Sequence, residues 1–165
     1  MTRLATLGVS AAVALVVAGG VLGSAQEPQT GTHVMKTPDA MTWGPPPPSL
    51  PPGALVSVLS GDPTKEGPFT MRAKMPDGYR IPPHWHPVDE HVTVVEGTFY
   101  MGLGETFGEA AGHALTAGGF AMMSAGTRHF AWAKGDTIVQ IHGMGPWRIN
   151  YVNPDDDPRR KPTSQ

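Results

Sequence analysis

The stretch Gly78-Tyr79-Arg80-Ile81-Pro82-Pro83-His84-Trp85-His86-Pro87-Val88-Asp89-Glu90-His91 decides the fold. His84 and His86 are two residues apart, and on an extended strand residues i and i+2 share a face. Both imidazoles can therefore aim at one point. Glu90 has the same parity but lies four residues beyond His86. A straight strand would carry it roughly 13 Å further at about 3.3 Å per residue, whereas metal–nitrogen and metal–oxygen bonds are only about 2.0–2.2 Å. If Glu90 shares an ion with the histidines, the chain must turn between them. Pro87 and Asp89 are turn formers at that place. The next strand, residues 91–96, is then expected to run back beside the first.

A fourth ligand has to come from a distant strand. The best candidate is His129, in Gly118-Gly119-Phe120-Ala121-Met122-Met123-Ser124-Ala125-Gly126-Thr127-Arg128-His129. The first segment reads G-x5-H-x-H-x3-E-x6-G, with Gly78, His84, His86, Glu90 and Gly97 in place. It resembles the first motif of the cupin superfamily. The second segment is similar to the second cupin motif through Gly118, Gly126 and His129. Ser124 stands where proline is usual, and Ala133 where asparagine is usual; these departures touch a turn and a strand end. The resemblance covers residues 78–133 and implies a single cupin unit. It also implies a metal centre of His84, His86, Glu90 and His129.

Composition agrees with that fold class. The 165 residues suit one domain with tails. Eighteen prolines and 21 glycines point to a turn-rich β chain and not a helical bundle. A formal net charge of −2, with no basic block in the core, argues against nucleic-acid binding. Cysteine is absent, which removes disulfides, thiolate ligands and a cysteine nucleophile.

The N-terminus points to export. Arg3 precedes an apolar run over residues 9–22, which ends at Gly23-Ser24-Ala25. This pattern is that of a signal peptide, residues 1–25, with cleavage expected after Ala25. The apolar run is short for a membrane span of about 20 residues, so no stable anchor is expected after cleavage. An uncleaved anchor is the alternative. No cysteine follows for lipidation, and no twin-arginine signal precedes the apolar run. A secreted or periplasmic protein exported unfolded by a Sec-type route is the expectation.

Residues 26–53 form an extended proline-rich arm, with Trp43 and Leu50 expected to hold it on the domain or on a partner subunit. Residues 54–152 read as the cupin domain, an all-β double-stranded β-helix, or jelly roll. Strands are expected over 54–60, 69–75, 79–86, 113–116, 120–123 and 147–152. Residues 91–96 and 98–103 read as a hairpin across Gly97, and 129–134 and 137–143 as two strands separated by Lys134-Gly135-Asp136. Short strands with recurring turns mean a sandwich or barrel, and cupins are double-sheet jelly rolls. Pro82 and Pro83 predict an edge or irregular strand. The charged tail, residues 153–165, is expected to fray.

Three neutral imidazoles and one carboxylate leave a divalent ion with a net charge of about +1, attractive to an anionic or polarised oxygen. The donor set contains no sulfur and suits Zn, Cu, Fe or Ni, with Mn admitted by the carboxylate. A protein that folds after export cannot use the cytosol to select a weaker binder, which favours Zn or Cu. Gln140 and His142 share a strand face and are candidates for the barrel mouth; a simple structural role is the alternative. Arg72 could bind an anionic substrate, against a solvated strand face shared with Lys74. Tyr100, with Tyr79, Phe120 and Phe130, reads as core or pocket wall. His91 should face away from Glu90, and His33 and His113 toward solvent. Two functions fit. One is an exported small-molecule metalloenzyme of oxygenase, lyase or isomerase type. The other is a non-catalytic cupin that binds or senses a small ligand. One fold hosts both. A homodimer is expected by analogy with other cupins.

Overall fold

The computed structural model describes residues 33–160. The expected signal peptide and cleavage site, residues 26–32 of the arm and residues 161–165 of the tail lie outside them. Eight strands follow in order: β1 (Leu55–Ser60), β2 (Gly67–Met75), β3 (Arg80–Trp85), β4 (Glu90–Leu103), β5 (Gly112–Thr116), β6 (Phe120–Met123), β7 (His129–Gly145) and β8 (Asn150–Tyr151). All pairings are antiparallel.

Two strands are long enough to belong to two layers. The first half of β4 pairs with β6 and with residues 138–142 of β7. Its second half pairs with β5 and with residues 129–134 of β7. On the far side, β7 meets β2 through residues 137–145 and β3 through residues 129–132. One layer therefore runs β1-β2-β7-β4-β6 and the other β8-β3-β7-β4-β5. This is a jelly roll whose layers share β4 and β7.

That sharing corrects the expected hairpin at Gly97 and the expected turn at Gly135. Neither ends a strand. Gly97 (φ 77°) and Gly135 (φ 71°) sit at register shifts where β4 and β7 pass from one layer to the other. Bulges are the usual device for such corners. A Cβ at Gly97 would overlap the carbonyl oxygen of Asp136 and the hydroxyl of Thr137. Only glycine fits the conformation and the close approach together.

The core lies between the layers. On β2, Phe69, Met71, Ala73 and Met75 alternate inward, as do Val92 and Val94, then Phe99 and Met101, on β4. Each large side chain so buried contributes about 1.5–3 kcal/mol. Strand β3 is irregular but is not an edge, since β7 and β8 flank it. Its register skips between Ile81 and His84, where Pro82 and Pro83 have no N–H to offer.

Residues before β1 pack on this body. Gly44 bridges Val56 with two backbone hydrogen bonds, Leu50 joins the core, and the Tyr151 hydroxyl donates to the Ser49 carbonyl at 2.7 Å. Trp43 is half-buried. At the other end β8 is two residues long, shorter than the strand expected over 147–152. Residues 154–160 do not fray. They form two 3-10 turns, and Arg159 is paired with Asp157 and donates to the Ile149 carbonyl. Among the described residues no helix is long and apolar enough to cross a membrane.

Candidate metal centre

His84, His86, Glu90 and His129 come together between the layers. His84 and His129 are register partners on β3 and β7. His86 lies one residue past the end of β3. The chain then bends at Pro87 and Val88, but it does not return beside β3 as expected. It crosses to the opposite layer, where Glu90 opens β4 on the same inward face as Val92 and Val94. The carboxylate thus reaches the histidines from across the core. The crossing loop is fixed by two bonds to the loop before β7: Ala125 N–H donates to the Asp89 carboxylate at 2.8 Å, and Gly126 N–H to the His86 carbonyl at 2.8 Å.

One ligand atom from each of His84, His86 and His129 lies within 4.8 Å of the others. All three residues are at most 3% exposed and Glu90 is 5% exposed. Each imidazole has its Nδ1 against a backbone carbonyl: His84 on Pro82 at 2.7 Å, His86 on Arg148 at 2.7 Å and His129 on Thr127 at 2.9 Å. A carbonyl only accepts, so each Nδ1 carries the proton and each Nε2 is left with a lone pair. Metal-binding histidines are oriented in this way. The Glu90 oxygens stand 3.4 Å from the Nε2 atoms of His86 and His129. The His86 Nε2 is buried with no hydrogen-bond partner.

Charge sharpens the point. Burial, aided by repulsion from His129 and His86, holds the His84 pKa down at about 3. Burial also lowers that of His86. For Glu90, burial raises the carboxyl pKa, and the neighbouring histidines, His86 first, lower it only through the charge they carry when protonated. Near neutral pH the site therefore sets an ionised carboxylate against imidazole lone pairs, away from water. Such a donor set is complemented by a cation. Three nitrogens and one carboxylate fit a first-row divalent ion.

The four other candidates lie elsewhere. Arg72, Gln140, His142 and Tyr100 alternate with core residues, so they occupy outer faces. Arg72 Nε donates to Gln140 Oε1 at 3.2 Å. His142 stacks on His91 at 5.0 Å and 17°, and Tyr100 on Trp132 at 4.6 Å and 10°. Parity carried the signal, because Met71, Ala73, Val139, Ile141, Phe99 and Met101 are the inward set. Tyr79 and Phe130 are buried, whereas Phe120 is exposed. His33 and His113 are exposed. Sequence reasoning missed Trp147, which stacks on His86 at 4.6 Å and 19°. Its only signal was a tryptophan in a Gly-Pro-rich turn.

Comparisons with known proteins agree on the fold. No curated protein matches the chain. An acetylacetone dioxygenase candidate from Methylibium petroleiphilum PM1 is 22% identical, with a TM-score of 0.58, over 79% of this chain and 88% of that one. An RmlC-like cupin from Ralstonia eutropha JMP134 is 23% identical, with a TM-score of 0.54, over 73% of each chain. KdgF from a Halomonas species is 20% identical, with a TM-score of 0.51, over 69% of this chain and 94% of that one. Residues 49–164 match the family described as a domain of unknown function, DUF4437. The chain belongs to that cupin-like family.

Proposed function

We propose that the protein is a metal-dependent cupin that acts on a small molecule at an ion held by His84, His86, His129 and Glu90. The observation that carries this reading is the convergence of three histidine ligand atoms, each imidazole oriented by its own backbone carbonyl. A divalent ion there supplies Lewis-acid polarisation of a bound oxygen and acidifies bound water. The protein's own residues fix the three imidazoles through their Nδ1 atoms, bring one negative charge from the facing layer and surround the site with apolar walls. The inner cavity is lined by His84, Glu90 and His129 among side chains such as Val92, Met101 and Ile141. Oxygenase, lyase and isomerase chemistry all suit a centre of that kind. The signal-like residues 1–25 support export as part of the same reading. Pairing of two chains belongs to it too, and light scattering that shows only monomer contradicts that part.

One observation favours a second reading, a cupin that binds a ligand without turnover. Among the described residues, five polar side chains that are not ligands lie away from the cavity. Glu105 and Glu109 pair with Arg128 and Arg80 at the surface, Glu96 is exposed, and Gln140 and His142 are on the outer face. Elemental analysis of purified protein, with His84→Ala and Glu90→Ala, tests the metal. Metal present in the wild type and lost in both variants supports the centre, and retention in both overturns it. A panel of small oxygen-bearing substrates then separates the two readings, since turnover abolished by chelation is expected of the enzyme alone.

A further inference from the structure

Two spaces flank Trp147, and their sizes differ. The inner cavity, which His84, Glu90 and His129 line, has a volume of about 30 Å³. That is room for about two waters and not for an organic molecule. A groove outside it has a volume of about 450 Å³, within the usual range of roughly 300–1,000 Å³ for small-molecule sites. Trp147 and Ile149 are wall to both. A molecule that presents one end to the metal must keep its bulk in an outer space. Another groove, of about 310 Å³, meets the inner cavity only at Met101 and has no arginine or lysine in its lining. The groove beside Trp147 is set against a ligand, because that indole lies flat on His86.

The chemistry of this groove is one-sided. Val56, Val58 and Met71 form one wall, and Pro45 and Pro47 another. Two arginines reach it, Arg148 and Arg159. Arg159 is already paired with Asp157 through two bonds of 2.7 Å. Arg148 is exposed and has no carboxylate partner among the described residues. The groove therefore offers one uncommitted positive charge beside apolar walls. The Trp147 Nε1–H is buried and has no acceptor. The backbone carbonyl of Arg148 also accepts from His86 Nδ1, so one short segment both borders the groove and orients a ligand.

We propose that the groove binds the body of a small organic monoanion, a carboxylate with an apolar chain or ring. Arg148 is its counter-charge and Trp147 the partition between it and the metal. This deepens the metal-centre reading and rests on it for the reaction, but affinity in the groove does not need the metal.

Benzoate is the probe, and benzyl alcohol is its uncharged counterpart. Each is titrated calorimetrically into protein stripped of metal and into zinc-loaded protein. One benzoate is expected to bind each form, with benzyl alcohol about tenfold weaker. Arg148→Ala keeps the carbonyl that holds His86, and it should weaken benzoate about tenfold, in line with loss of a charge-assisted contact. Val58→Glu places a carboxylate at a partly exposed groove position and should abolish binding, and both variants should keep wild-type zinc content. Benzoate binding unchanged in both variants, or absent from the wild type, overturns the proposal. If zinc does not bind but benzoate shows the Arg148 dependence, the groove stands and the metal reading falls. If zinc binds and benzoate does not, the metal reading stands and the groove falls.

Discussion

Glu90→Gln should move stability in opposite directions in the two forms of the protein. The side chain is 5% exposed and its oxygens lie 3.4 Å from two imidazole Nε2 atoms. At about pH 8, above the ordinary histidine pKa of about 6.5, the metal-free protein buries a carboxylate against lone pairs. Leaving a buried charge without a partner costs on the order of 1–3 kcal/mol or more. Glutamine removes the charge, keeps the shape and offers an N–H to a facing nitrogen. Metal-free Glu90→Gln should therefore be more stable than metal-free wild type by about 1–3 kcal/mol. With metal the sign reverses, because an anionic ligand has been lost. If affinity falls about a hundredfold, the metal-induced stabilisation at saturation shrinks by about 2.7 kcal/mol. Urea unfolding of chelated and zinc-loaded samples, wild type and variant, measures all four states. A variant that is less stable without metal, yet gains as much from zinc as the wild type, would refute the assignment. Glu90 would then be a partner for a protonated histidine and not a ligand.

Acid should destabilise the metal-free protein early. His84 stays neutral in the fold down to about 3, whereas an unfolded histidine takes up its proton near 6.5. As pH falls between these values the unfolded chain binds more protons, so this contribution is intact above about 6.5 and is lost toward about 3. The urea midpoint of chelated protein should drop from pH 7.5 to pH 5, each about, and an unchanged midpoint contradicts burial of a neutral imidazole. Gly97→Ala should cost about 3 kcal/mol, since it combines a left-handed conformation with backbone overlap. Gly104→Ala also has a positive φ but open space around it and should cost clearly less by the same urea assay. Tyr151→Phe removes the donor to the Ser49 carbonyl and should cost about 1 kcal/mol, with faster proteolysis of residues 33–53. Arg72→Ala and His142→Ala lie on an outer face and should leave zinc stoichiometry at the wild-type value.

The ligand cluster was legible because it depends on spacing. A separation of two from His84 to His86 is strand parity, and the turn formers before Glu90 said that the chain must bend. The destination of that bend was not legible. Returning beside β3 and crossing to the other layer need the same turn residues, and only long-range pairing with β6 and β7 decides between them. Gly97 and Gly135 misled for a related reason. A glycine with positive φ serves a hairpin turn or a bulge equally well, and the strand continues through each only because its partner bulges beside it. The outer placement of Arg72, Gln140, His142 and Tyr100 was available from parity, since each alternates with residues that are apolar and inward. The carbonyls of Pro82, Thr127 and Arg148 that orient the imidazoles carry no side-chain signature, so no reading of residue types finds them.

Zinc-edge X-ray absorption of reconstituted protein tests the central claim most directly. The account predicts one zinc per chain, a first shell of nitrogen and oxygen at about 2.0–2.1 Å, and outer-shell scattering from three imidazoles that falls to two in His129→Ala. A shell of oxygen alone, or imidazole scattering that His129→Ala leaves unchanged, would contradict it.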